Sequence, residues 1–183
     1  MTVSDEFLIK AFQKGDDLAF VNLYNRYKKP VYVFCLKMLG KTDDAKDIVQ
    51  GVFLKIYERR DQIMYPERFK SWLLTIARND CLTSIRKASY TSELPDEMED
   101  TNLILPPHDI DRDEEVRLVN QAIRRLKADY REVVIMREYQ NLSYQEIAEV
   151  IGTTESVVKS RLFTARQRLY ELLKPIYDER KES

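Results

Sequence analysis

A chain of 183 residues with four glycines and six prolines, 44% hydrophobic and 33% charged, suits one ordinary domain or two small ones made of helices. No apolar run is long enough to cross a bilayer, and the opening MTVSDEF lacks the basic start and apolar core of a secretion signal, so a cytoplasmic protein without membrane insertion is expected. The net charge of −1 conceals three blocks, +5 over residues 1–87, −9 over 88–115 and +3 over 116–183, which puts an acidic stretch between two basic ones.

Ser4, followed by Asp5 and Glu6, signals a helix start, with Phe7, Leu8, Ala11 and Phe12 as its apolar side and Gly15 as its end. Asp16 or Asp17 opens a second helical run through Leu18, Phe20, Val21, Leu23, Tyr24 and Tyr27. Pro30 lacks an amide hydrogen and crowds the preceding turn, so it should kink or interrupt this run before Val31–Leu39 carries it to Gly40. Thr42 or Asp43 caps the clearest amphipathic helix, in which Ala45, Ile48, Val49, Val52, Phe53, Ile56 and Tyr57 recur at three and four. Its other face carries Asp44, Asp47, Gln50, Gly51, Lys55 and Glu58.

Residues 58–69 break the periodicity around Pro66 and read as a loop. A helix then runs through Lys87, with Phe69, Trp72, Leu73, Ile76, Ala77, Leu82 and Ile85 inward and Ser71, Thr75, Arg78, Asn79, Thr83 and Arg86 along a polar side. Residues 88–112, rich in acids and proline, read as a flexible linker. Helices follow from Asp113, with Val116, Val119, Ala122, Ile123 and Leu126, and around Tyr130, Val133, Val134, Met136 and Tyr139. Cys35 and Cys81 have no CxxC spacing and His108 has no obvious co-ligand, so the expectation is free core thiols, no metal and no cofactor. No nucleophile, acid and base pair or phosphate-binding glycine loop stands out, so an enzyme is not expected.

The segment LSYQEIAEVIGTTESVVKSRLFTARQRL, residues 142–169, reads as two short helices joined by a tight turn. Ser143 and Glu146 form a reciprocal cap, Gly152 ends the first helix, and Thr154 with Glu155 opens the second. In the second helix Val158, Leu162, Ala165 and Leu169 form one buried stripe. The remaining faces carry Ser156, Lys159, Ser160, Arg161, Phe163, Thr164, Arg166 and Gln167, a mixture of cations, hydrogen-bonding groups and an aromatic. Such a helix fits the major groove of DNA. A solvated basic face on a helical hairpin would carry the same pattern.

Three stretches in this order, DDAKDIVQGVFLKIYE at 43–58, FKSWLLTIARN at 69–79 and the motif beginning LSYQEIAEVIG, resemble the extracytoplasmic-function group of bacterial RNA polymerase sigma factors. The resemblance spans about residues 5–173, apart from the linker. It implies an all-α protein of two small domains: residues 1–87, which bind core polymerase and recognise and melt the minus 10 element, and residues 113–183, which read the minus 35 element through a helix-turn-helix. Residues 88–112 join them, either threading a basic polymerase channel or acting as a spacer.

The implied sites follow the matching residues. Asp47 and Gln50, with Phe53 and Lys55 beside them, stand where the family contacts polymerase; the acidic residue usual after that glutamine is here Gly51. Arg60, Asp61, Gln62 and Tyr65 lie in the loop that receives an unpaired base of the melted strand. Arg78 and Asn79 match the following helix, with Arg86 further along it and Thr83 where aspartate is common. Ser156, Lys159, Ser160, Arg161, Phe163, Thr164 and Arg166 form the minus 35 reading face, Thr164 standing where arginine is frequent. The implied partners are core RNA polymerase, through its clamp helices and flap, promoter DNA and an anti-sigma factor. Two other functions fit the residues alone: a helix-turn-helix regulator that is not a polymerase subunit, and a sigma-like interaction protein.

Overall fold

The computed structural model describes residues 3–91 and 110–181, and all of their regular structure is helical. The chain divides into two compact units, Met1–Thr91 and Ser92–Ser183. The first contains α1 (Asp5–Gln13), α2 (Asp17–Leu39), α3 (Thr42–Glu58) and α4 (Phe69–Thr91), with short 3-10 turns at Arg60–Gln62 and Pro66–Arg68. Ser4 caps α1 by accepting from the Phe7 amide at 3.3 Å, and Asp16 caps α2 by accepting from Leu18 and Ala19. Lys41 precedes α3 without a side-chain cap, in place of the expected Thr42 or Asp43.

Pro30 does not interrupt α2. The helix is continuous through it because buried Tyr27, Val31, Phe34 and Cys35 pack on both sides, and this tertiary packing offsets the one missing amide hydrogen bond. α2 then ends at Gly40, whose left-handed backbone (φ 76°) lets its amide close on the Leu36 carbonyl at 2.7 Å. The true inward stripe of α1 is Leu8, Ile9 and Phe12, one step round from the expected one, which leaves Phe7 64% exposed; Leu18 and Val21 likewise face solvent.

An aromatic seam joins α1, α2 and α3. Phe12 stacks on Phe20 with centroids 5.0 Å apart, Tyr24 meets Phe53 edge-on at 4.8 Å, and Tyr57 lies 5.1 Å from Phe20 while donating to Asp17 at 2.9 Å. Each fully buried Phe or Leu contributes about 2 kcal/mol of apolar burial. Arg26 and Tyr27 both donate to Asp5, tying the start of α1 to α2; burial and then this hydrogen bond push the Tyr27 hydroxyl above its ordinary range. Cys35 of α2 and Cys81 of α4 are free, buried neighbours, a proximity their sequence separation does not suggest. The Cys81 thiol beside it, with burial, pushes the Cys35 thiol far up, so it is an inert core group.

The second unit contains α5 (Ile110–Arg125), α6 (Ala128–Glu138), α7 (Tyr144–Ile151) and α8 (Glu155–Lys181). α6 is its centre: all five residues from Glu132 to Met136 are buried. Ala122, Ile123 and Leu126 of α5, Ile147, Ala148 and Val150 of α7, and Val158, Leu162 and Ala165 of α8 complete the core. The Arg131 guanidinium bridges the carbonyls of Arg124 and Leu126 and so closes the end of α5. α8 is long rather than short and runs through Pro175.

α4 continues to Thr91 and α5 begins at Ile110, so helix extends into both edges of the expected linker. Ala88, Ser89 and Tyr90 contain no helix breaker, and the pair Pro106–Pro107 precedes α5. The acidic residues at 93–100, the apolar patch Leu103 to Leu105 and His108 lie outside the described residues. No described helix is long and apolar enough to cross a membrane, and no cluster of metal-ligating side chains occurs among the described residues.

Candidate nucleic-acid interface

α7 and α8 are set by local chemistry. The Ser143 hydroxyl accepts from the Glu146 amide at 3.1 Å while the Glu146 carboxylate accepts from the Ser143 amide at 2.7 Å. Arg137 donates to the Leu142 carbonyl at 2.8 Å and lies 5.1 Å from the Tyr144 ring, which fixes the entry into α7. Gly152, left-handed at φ 69°, ends α7, and only Thr153 and Thr154 separate it from α8.

The inward stripe of α8 is Val158, Leu162 and Ala165, so the opposite stripe is Ser156, Ser160, Phe163 and Gln167. These four are exposed, Phe163 at 65%. Lys159 and Arg166 flank them on one side. Lys159 lies 3.9 Å from Glu155 and 5.7 Å from the Tyr144 ring, and Arg166 meets Glu138 at 3.0 Å with both side chains about half exposed. The Glu138 carboxylate holds the Arg166 guanidinium above its ordinary value. An exposed pair of this kind is worth about 1 kcal/mol or less, so the Arg166 guanidinium can leave Glu138 at little cost.

Arg161 differs from its neighbours. It turns inward from the opposite flank to Glu132 of α6, 3.4 Å away, where the carboxylate is 1% exposed. The pair ties α8 to α6, and the Arg161 side chain keeps 30% exposure. Thr164, half-buried, shares that flank.

In the first unit the loop between α3 and α4 is anchored by buried Ile63 and exposes Asp61, Gln62, Met64 and Tyr65, with Met64 at 76%. Arg60 lies over the Tyr57 ring at 5.8 Å, and Arg68 over Tyr65 at 5.8 Å. From α1, the Gln13 amide donates to the carbonyls of Arg60 at 3.1 Å and Ile63 at 3.0 Å. Asn79, Thr83 and Arg86 share the outer side of α4, with half-buried Arg78 at its edge, and Thr83 donates to the Asn79 carbonyl at 2.8 Å. Trp72 is half-buried beside Phe69, at 6.3 Å.

Directly opposite the buried stripe of α3 lies a face of Asp43, Asp47, Gln50, Gly51, Leu54 and Glu58. Asp47 and Gln50 are exposed. Leu54, 59% exposed, stands between them and Glu58; the sequence reading missed it, though an apolar residue off the inward stripe is the signal that finds it. Phe53 and Lys55 do not belong to this face. Phe53 is 3% exposed within the aromatic seam, and Lys55 turns to α4, meeting both Asp80 oxygens at 2.6 and 2.7 Å.

Comparison with known proteins identifies the two units. The family model for sigma-70 region 2 matches residues 23–91, and that for sigma-70 region 4 matches residues 117–169. The chain is 30% identical to the ECF RNA polymerase sigma factor SigW of Bacillus subtilis, covering 92% of this chain and 96% of that protein. It therefore belongs to the extracytoplasmic-function group of sigma factors. It is likewise 30% identical to the ECF RNA polymerase sigma-E factor of Escherichia coli K12, over 95% of this chain and 96% of that one. Among solved structures, the sigma factor RpoE from Bartonella quintana, crystallised with the anti-sigma factor NepR, is 28% identical with a TM-score of 0.70, covering 85% of this chain and 96% of that chain. CnrH, solved in complex with the cytosolic domain of CnrY, shares the fold at 22% identity with a TM-score of 0.71, over 93% and 97% of the two chains.

This protein is thus an alternative sigma factor that directs transcription initiation. The burial of Phe53 gives a direct check on which side chains serve the fold of this sigma factor. Phe53→Ala is expected to destabilise the first unit by about 3 kcal/mol through the cavity it leaves, measured by denaturant titration, while the fraction still folded binds polymerase like wild type.

Proposed function

We propose that this sigma factor works through three separate faces of its two units. The outer face of α3, centred on Asp47, Gln50 and Leu54, engages the clamp helices of core RNA polymerase. The loop at residues 60–69 and the outer side of α4, with Arg60, Asp61, Gln62, Tyr65, Arg78, Asn79 and Arg86, take up the melted non-template strand of the minus 10 element. Exposed Tyr65 offers a stacking surface and the arginines offer phosphate contacts, the combination that single strands require.

The second unit, which also meets the polymerase flap, reads the minus 35 element with α8. Here Ser156, Ser160, Phe163 and Gln167 face base edges, Thr164 lies at their margin, and Lys159 and Arg166 hold phosphates. The observation that carries this reading is the division of α8 into an uncharged outward stripe with cations on its flank: phosphate contacts position a helix and base contacts specify its site. Catalysis of RNA synthesis belongs to the polymerase, the sigma factor itself being no enzyme, and its place of action is the cytoplasm. An anti-sigma factor is the expected regulator, supported by the likeness to RpoE, which was solved with one.

Transcription of a genomic fragment library by purified core polymerase, with and without this protein, tests the reading. New start sites preceded by a shared pair of elements are expected only in its presence. An active core that gains no start sites would overturn it, and sequence-specific binding to duplex DNA by the free protein would favour a conventional regulator instead.

A further inference from the structure

The first unit pins its loop in an unusual way. Gln13, at the C-terminal end of α1 and half-buried, directs both amide hydrogens of one nitrogen at the carbonyls of Arg60 and Ile63, 47 and 50 residues further along the chain. The two carbonyls bracket Asp61 and Gln62, and the second belongs to the residue whose buried side chain anchors the loop. Immediately after it come Met64 and Tyr65, both exposed. α1 is itself rigidly held, by Phe12 in the aromatic seam and by Asp5 under Arg26 and Tyr27. It also precedes residue 23, where the region 2 match begins.

A side-chain amide donating to two carbonyls fixes the backbone of a loop without occupying its exposed surface. The 3-10 turn at Arg60–Gln62 has one hydrogen bond of its own at 2.8 Å, from the Gln62 amide to the Arg59 carbonyl, and a looser one at 3.3 Å, from Ile63 to Arg60. Gln13 therefore provides as many backbone restraints as the turn itself, and a site that must accept one base and reject others depends on such preorganisation. We propose that Gln13 is a positioning residue for base recognition: from α1 it holds the backbone at residues 60–63 in the shape that selects an unpaired base. The proposal rests on the reading above that this loop receives a base from the melted strand.

The test uses holoenzyme assembled with core polymerase on two templates, a duplex promoter and the same promoter with its minus 10 element pre-melted and each of the four bases placed in turn in the non-template strand. For Gln13→Leu, similar in size but unable to donate, discrimination among the four bases is expected to fall about tenfold, the worth of two modest hydrogen bonds. Gln13→Lys, which retains donors, should recover most of it, while affinity for core polymerase stays at the wild-type level. Hydrogen exchange on the free protein is the second measurement: amides at 60–65 should exchange faster in Gln13→Leu, with protection in α2 and α4 retained. Undiminished discrimination, or unchanged exchange in the loop, would overturn the role of Gln13. A wild-type protein that shows no discrimination on the pre-melted template would instead overturn the reading of the loop itself.

Discussion

Arg161→Ala is expected to destabilise the second unit by about 3 kcal/mol, because it strips the guanidinium from a carboxylate that is 1% exposed. The figure sits at the low end for a broken buried pair, since the Arg161 side chain is itself 30% exposed and the 3.4 Å separation is loose. A loss of that size is a large part of the stability of a small helical unit, so minus 35 recognition should collapse along with it. Lys159→Ala and Phe163→Ala provide the contrast. Both side chains are exposed, so unfolding should be nearly unchanged while recognition of the minus 35 element weakens about tenfold, the worth of one base or phosphate contact. Hydrogen exchange in α6 and α8, followed separately from the first unit, together with footprinting of the holoenzyme, separates the two outcomes. Full protection of α6 in Arg161→Ala alongside a lost minus 35 footprint would make Arg161 a direct DNA contact after all.

What was legible in the sequence divides along the same line. Helical stripes such as Ala45, Val49, Val52 and Ile56, or Val158, Leu162 and Ala165, follow from periodicity, because burial of one face is what makes each helix stable. The caps at Ser4, Asp16 and Ser143 and the stop at Gly152 follow from local hydrogen bonding that involves only near neighbours.

Features decided by distant residues were not legible. Glu132 reads as an ordinary solvated acid on α6 until Arg161 is seen beside it, 29 residues away. Among the described residues Gln13 donates to backbone carbonyls, which leave no mark in the sequence. Pro30 reads as an interruption because its local cost is plain while the packing that offsets it is tertiary. Phe53 and Lys55 lie off the outer face for reasons set by distant residues: Phe53 is claimed by the aromatic seam with α2, and Lys55 by Asp80 of α4, 25 residues further along the chain.

Leu54→Asp on α3 is expected to weaken assembly with core polymerase by about a hundredfold, since it places a charge at the only apolar point of an otherwise polar face and leaves that charge desolvated in the contact. Asp47→Ala and Gln50→Ala, which remove hydrogen-bonding groups at the edge of the same face, should each cost about tenfold. None of the three touches the core, so thermal unfolding should stay within about 0.5 kcal/mol of wild type, as for surface changes generally. Gly51 offers the opposite arm. An added Cβ there meets nothing within 4 Å, so Gly51→Glu fits without strain, and replacing a mid-helix glycine should stabilise α3 by about 0.5 kcal/mol. It also restores an acidic side chain between Gln50 and Leu54, where sigma factors of this group usually have one, so its affinity for core should rise. Competition between each variant and wild type for a limiting amount of core polymerase reads all four directly. If Leu54→Asp competes as well as wild type, the outer face of α3 is not the polymerase contact, and the gain from Gly51→Glu should then be confined to the melting temperature.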